Sequence, residues 1–466
     1  MNRPQSLHLK SIKIDWDNRF RLCALLLLLF LSPVHSKDEK TVELRPKDSH
    51  SKAVSGWIDG RLEGLVKVYK HFHAYPELSF QELKTATMIA KELEKCGFEV
   101  TSGVGRTGVV AVLKNGDGPT LLIRGDMDAL PIIEETGLEY ASKVITKQPD
   151  GPAVGAMHAC GHDVHCTMLF GVGPLLADLK DQWSGTVVLI AQPAEEIGRG
   201  SKFMIKDGLF ERFPKPDMCL SLHVMHRLPI GSVGLTSGWA FANVDSVDIT
   251  IFGKGGHGAR PHSSVDPIVT AAHVITQLQT IVSRRLAPID PGVITVGSIH
   301  GGTKHNIIPD EVKLQLTVRS YTDEVRRTLL DGIRQVTTDT CRSFKCPKDP
   351  LVVVDEEEFT PASYNDPGLT DSATGLFRNL FGEENVFEMP ATMGGEDFGR
   401  YAKHLGVPGL QYRIGTVTRD RWEASEQPGA DPLPSLHSSK FYPVPEPTVK
   451  MAVESMANLA LSILQK

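Results

Sequence analysis

Apolar positions recur at helical spacing from Trp57 through His71 and from Gln81 through Cys96, where Gly97 ends the pattern. Two short apolar runs of strand character follow, Gly108–Leu113 and Thr120–Arg124. A helical stretch over His165–Leu179 leads to the strand-like runs Thr186–Ile190 and Met218–Val224. Strands alternating with helices predict an α/β domain.

The pattern changes after about Ser237. Val244–Phe252 alternates as a strand and Asp266–Arg285 carries the apolar stripe of a helix. Strands over Val293–Ile299 and Val312–Ser320, a helix over Thr322–Arg342 and a strand over Leu351–Val354 complete the segment. That order, β-α-β-β-α-β, is the order of a ferredoxin-like unit. It interrupts the first domain, which resumes with the helix Asp371–Phe381 and closes with Pro447–Leu464. The predicted division is a leader over 1–36, an α/β domain over 37–237 and 356–466, and an inserted α+β unit over 238–355. No internal repeat is visible.

Length and composition agree with a multi-domain soluble protein. The chain has 466 residues, 41% hydrophobic and 23% charged, too many for one ordinary domain. Net charge is -6; residues 1–36 hold five basic and two acidic residues, leaving 45 against 54, or -9. No sustained basic block appears, so nucleic acid is not an expected partner. Arg19 and Arg21 precede the apolar run Leu22–Leu31, and Ser36 offers a small residue for cleavage. Such a run is too short for a bilayer core of about 30 Å. A cleaved signal is therefore expected, with no membrane span afterwards and export to the periplasm or the exterior. Six cysteines remain without Cys23, too few for a disulfide framework in a chain this long. Cys341 and Cys346 are near enough in sequence to bridge, while Cys96, Cys166 and Cys219 read as buried thiols.

Five clusters stand at predicted strand ends or just beyond them, where α/β sheets place their sites. They are Asp126 with Asp128, the run Met157–His165, Gln192–Glu196, His223 and His437. Together they supply a thiolate, imidazoles and carboxylates, the donors of zinc and its neighbours. Singly each has a bland reading: a lone His223 or His437 is more often structural, and Cys160-Gly161-His162 alone is a weak signal. The adjacent Glu195 and Glu196 are harder to dismiss, since two carboxylates crowded beside an apolar strand need a cation or a raised pKa. Two metals about 3.5–4 Å apart could share a thiolate and acidify a water. One glutamate would bind metal while its neighbour takes the water's proton. Asp126 or Asp128 would hold a ligating imidazole in one tautomer. The arrangement suits attack of water on an amide or ester carbonyl.

From about residue 55 onward the chain resembles the amidohydrolase branch of the M20 metallopeptidases, the aminoacylases, hippurate hydrolases and auxin-conjugate hydrolases. The resemblance rests on His73–Glu82, Arg124–Pro131, Met157–His165, Gln192–Glu196 and Met393–Phe398, in that order. It implies a zinc-peptidase-like catalytic domain, a mixed sheet flanked by helices, with the inserted ferredoxin-like unit as lid and dimerisation domain. It implies Cys160, His162, Glu196, His223 and His437 as ligands of two divalent ions, zinc or manganese, with Cys160 bridging. Glu195 becomes the general base. His257, within Gly255–Pro261, resembles an oxyanion-stabilising histidine that is sometimes supplied by the partner of a homodimer. Asn306 and Arg319 resemble holders of the substrate carboxylate, and Gly394 and Gly395 a substrate-side loop. His158 and His165 are expected to pack around the metal motif. Gly125 and Ser201 stand where alanine is usual, and neither is a ligand.

The implied activity is hydrolysis of the amide of an N-acyl amino acid by a metal-bridging hydroxide. The absence of a Lys-Asp-Glu-Leu-type ending points toward a bacterial-type exported enzyme. The alternative within the family is a dipeptidase or carboxypeptidase. A cysteine hydrolase built on Cys160 would leave Glu195, Glu196, His223 and His437 without roles. A metal-stabilised binding protein would leave Glu195 without one.

Overall fold

The computed structural model of the protein describes Leu44, residues 48–147 and residues 151–465; the predicted leader lies outside these residues. Eight strands form the main sheet, in the spatial order Glu99–Val104, Gly108–Asn115, Gly185–Gln192, Thr120–Asp126, Met218–Pro229, Gly409–Val417, Val233–Leu235 and Val386–Glu388. The four strands at its centre, from Gly185–Gln192 to Gly409–Val417, run parallel. Antiparallel partners flank them on both sides, so the sheet is mixed.

The pleat sorts each strand between two apolar layers. Val109, Ala111 and Leu113 join Leu121, Ile123, Val187 and Leu189 in one core, while Val110, Val112, Leu122, Val188 and Ile190 face the other. The first layer is covered by the helices Leu83–Lys95, His162–Asp178 and Pro445–Ile463. With both faces covered, these strands read as continuous apolar runs, as buried parallel strands do.

A separate four-stranded antiparallel sheet has the order Gly292–His300, Glu311–Ser320, Asn243–Phe252, Leu351–Val354. Here only one face is covered. Val247, Ile249 and Ile251 alternate with Asp248 and Thr250, and pack under the helices Pro267–Arg285 and Asp323–Ser343. Asp266 and Thr322 cap those helices through their side-chain oxygens.

Two expectations differ from what is observed. The helix predicted over Trp57–His71 is broken by a turn at Gly60 and Arg61, giving Asp48–Asp59 and Leu62–Ala74. The strand Gly409–Val417, central to the main sheet, was not anticipated. All nine of its residues are buried, and polar Gln411, Arg413 and Thr416 break up the apolar run. Cys341 and Cys346 are both free thiols; Cys166 and Cys219 are buried and Cys96 is partly exposed. Among the described residues no helix is long and apolar enough to cross a membrane.

Candidate active site

A cleft of about 1000 Å³ opens at the C-terminal ends of the parallel strands, between the main sheet and the strands Asn243–Phe252 and Glu311–Ser320. Cys160, Glu195, Glu196, His223 and His437 line it, and His162 lies buried behind them.

Each side chain is delivered by its local backbone. Gly161 caps the helix His162–Asp178 with φ 76°, and a Cβ there would meet Val224 Cγ2 at 2.4 Å. Only glycine fits between Cys160 and His162, and the tight turn it allows lets the thiol and the imidazole enter one cluster. Glu195 follows Ala194, whose φ of 50° turns the chain at the end of strand Gly185–Gln192. The Asp128 carboxylate holds the next two peptides, accepting from Glu195 N at 3.1 Å and Glu196 N at 3.0 Å. Ser79 Oγ donates to the same carboxylate, and Glu82 accepts from Ala194 N. His437 also stands on left-handed backbone, φ 68°, and its N–H donates to Ala159 O. Strained conformations of this kind cluster at functional sites.

Two donor triads meet at one atom. The ligand atoms of Cys160, His162 and His223 lie within 4.8 Å of one another, as do those of Cys160, Glu196 and His437. Cys160 Sγ is common to both. Each imidazole is held through Nδ1: His162 Nδ1 donates to the Asp128 carbonyl and His223 Nδ1 to the Val224 carbonyl, each at 2.8 Å, while His223 Nε2 stands 3.5 Å from Cys160 Sγ. His162 Nε2 and Glu196 Oε1 are buried without a hydrogen-bond partner, 3.9 Å apart. Burial pushes the Glu196 carboxyl up to about 8 within the protein alone, and burial, then Glu396, raises Glu195 well above the carboxylate range. Orphaned donors, crowded carboxylates and a shared sulfur fit a pair of divalent cations.

Both aspartates stand beside His162. His162 Nδ1 meets both the backbone carbonyl of Asp128, at 2.8 Å, and its carboxylate, at 3.4 Å. Asp126 pairs with Arg124 at 2.6 Å and accepts from His165 Nδ1, whose Nε2 in turn accepts from Val224 N. The carboxylate of Asp126 thus braces the strand that carries His223. His158 is buried with neither ring nitrogen hydrogen-bonded.

Arg319, Gly394 and Gly395 line the cleft, opposite the donor cluster in sequence but beside it in space. His257 and Asn306 do not line it. They are exposed and adjacent on a two-stranded ribbon, Gly256–His257 against Ile307–Ile308, where Gly258 N donates to Asn306 O at 2.8 Å.

Sequence reasoning did not single out the buried network behind Glu195. Arg124 binds Gln192, Asp126, Glu396 and Asp397, and Gln192 and Ser201 N also bind Asp397. Its members sit inside the motifs already noted, which was the available signal. Arg413, also in the cleft wall, had none.

The model of peptidase family M20/M25/M40 matches residues 122–432. N-acetyl-L-cysteine deacetylase of Bacillus subtilis is 37% identical over 361 residues, 77% of this chain and 82% of that protein. Thermostable carboxypeptidase 1 of Saccharolobus solfataricus is 35% identical, over 86% of this chain and 96% of that one. The solved structure of Bacillus subtilis YxeP, described as a dinuclear metal binding peptidase from the M20 family, is similar with a TM-score of 0.70 and 29% identity. It covers 87% of this chain and 99% of its own.

Proposed function

The chain belongs to peptidase family M20/M25/M40, and on that footing we propose that it is a metal-dependent amidohydrolase releasing an amino acid from its N-acyl conjugate. The observation that carries this is the pair of donor triads sharing Cys160, with Glu195 beside them in the cleft. The N-acetyl-L-cysteine deacetylase similarity supports the substrate class.

Cys160, His162, His223, Glu196 and His437 would hold two divalent ions, zinc or manganese. When bound, such ions supply Lewis-acid activation of a carbonyl and of water. Glu195, fixed through its N–H by Asp128, takes the proton of the attacking water and passes it to the departing amine. Arg319, half-buried in the wall with its Nε donating to Thr317, takes the substrate carboxylate, and Gly394 and Gly395 leave room for the chain between. His257 and Asn306 act from the ribbon of the inserted unit, which serves as lid and, in a homodimer, reaches the neighbouring subunit's cleft. The leader directs export.

The thiol-nucleophile alternative fits the surroundings poorly. A nucleophilic cysteine needs an electropositive setting, whereas carboxylates stand around Cys160 and burial, then Glu196 and Glu195, raises its thiol well above the usual range.

The test is amine release from a panel of N-acyl amino acids and dipeptides by protein stripped of metal and reloaded with zinc or manganese. Reloading restores turnover, while Glu195→Gln binds the same two equivalents of metal and loses about 10²–10⁴-fold in kcat. Turnover of dipeptides alone would move the assignment to the carboxypeptidase-like side that the Saccharolobus relative represents. Full activity without metal would overturn it.

A further inference from the structure

Among the arginines that line the cleft, Arg413 is the buried one to which the proposed reaction gives no role. Arg413 lies in strand Gly409–Val417, paired in parallel register with His223. Paired residues of neighbouring strands leave the sheet on one face, and both line the cleft. Arg413 is 4% exposed. Its Nη1 donates to Thr236 Oγ1 at 2.9 Å, and its guanidinium stands 4.9 Å from the Phe241 ring centroid.

What sets Arg413 apart is the lack of a carboxylate. The other fully buried arginine of the site, Arg124, is paired with Asp126, Glu396 and Asp397. No ion pair is formed by Arg413 among the described residues. The acid that bears on it, Glu396, has one oxygen bonded by Arg124 and Phe398 N and the other by Gln411. Burial draws the Arg413 pKa down to about 10, which leaves the charge in place at neutral pH. A buried cation without a counter-ion is costly, and one that lines a ligand cleft matches a carboxylate through its planar fork.

Gly394 and Gly395 add no side chain to the wall between Arg413 and Arg319. A Cβ on Gly394 would lie 3.8 Å from Phe241, on which Arg413 stacks, and one on Gly395 would lie 3.6 Å from Arg319 Nη1. A glycine pair thus floors the space from Arg413 to Arg319.

We propose that Arg413 is a specificity-determining residue that binds a second carboxylate, so that the preferred substrates are N-acyl amino acids carrying two anionic groups. This rests on the amidohydrolase reading, with Arg319 taking the first carboxylate. The second belongs either to the amino-acid side chain or to a dicarboxylic acyl group; the recognising chemistry is the same.

The experiment compares kcat/KM of the metal-loaded enzyme within two matched pairs: N-acetylglutamate against N-acetylglutamine, and N-succinylalanine against N-butyrylalanine. The acidic member of at least one pair is favoured by about ten- to hundredfold, the span of a charged hydrogen bond, and the favoured pair identifies the source. Arg413→Gln brings that ratio to about one, through KM, and Arg413→Lys keeps part of it. Wild-type ratios at or below one in both pairs, or a preference that Arg413→Gln leaves intact, would overturn the proposal. If Arg413→Gln does not fold, competition decides: glutarate must inhibit wild type better than butyrate at saturating metal, and equal inhibition overturns it. If no conjugate is hydrolysed, the amidohydrolase reading fails by itself. Calorimetric binding of glutarate against butyrate to the metal-loaded protein then decides for or against Arg413.

Discussion

Asp128 shows how much of the site hangs on one side chain. Its carboxylate accepts the N–H groups of both Glu195 and Glu196 as well as the Ser79 hydroxyl, while its carbonyl orients His162. Asp128→Asn would keep the carbonyl and lose one of the two acceptors that align the glutamates. Both metal affinity and kcat should fall by about 10–100-fold, the range for supporting partners of metal ligands, with His162 still in place. Metal content after dialysis and steady-state kinetics check this; unchanged values for both would show that the turn holds without the carboxylate. At this scale the clustering of Cys160, His162, Glu195 and Glu196 was legible because they lie in short motifs whose chemistry is local. Which group orients which imidazole was not. That depends on elements distant in sequence arriving side by side, as the His165–Val224 and His165–Asp126 contacts do. Arg413 was illegible for the same reason: nothing around it in the chain announces a cleft.

Helices are tied to one another by buried charge as well as by apolar packing. His73, at the end of Leu62–Ala74, bonds Asp163 in helix His162–Asp178 at 2.7 Å and Glu134 at 3.0 Å. Burial works against its charge, but the bonds to Asp163 and Glu134 prevail and raise its pKa to about 9. A histidine whose pKa is raised on folding stabilises fully below its unfolded value near 6.5. That contribution is lost as pH climbs through about 9. Asp163 and Glu134 have lowered values, so their shares are lost at the acidic end instead. The melting-temperature gap between wild type and His73→Gln should therefore narrow as pH rises from about 6.5 past 9. A gap independent of pH across that window would mean that His73 is neutral in the fold. Most elements here were legible from periodicity, because half-buried strands and striped helices carry it. Gly409–Val417 carries none: buried on both faces, it needs no alternation, and it tolerates Gln411 and Arg413 because both find polar partners inside.

Across the whole molecule the separate four-stranded sheet was legible from element order, since β-α-β-β-α-β breaks the alternation that builds a parallel sheet. The distance between its ribbon and the cleft was not, because spacing along the chain says nothing of where a unit points. Arg319 reaches the cleft from strand Glu311–Ser320, yet His257 and Asn306, in the same unit, are exposed on the ribbon outside the cleft lining. One unit thus presents residues to two places. If the ribbon serves the cleft of a second copy, a subunit lacking Glu195 still lends its His257, and a subunit lacking His257 still offers an intact metal cleft. Mixing inactive Glu195→Gln with inactive His257→Ala should then restore activity to about a quarter of wild type. Half of the randomly paired dimers would hold both variants, each with one complete site. Exchange of subunits, confirmed by tagging one variant, makes the measurement decisive. Activity that stays at the sum of the two variants would place His257 in the service of its own cleft, reached by closure of the inserted unit.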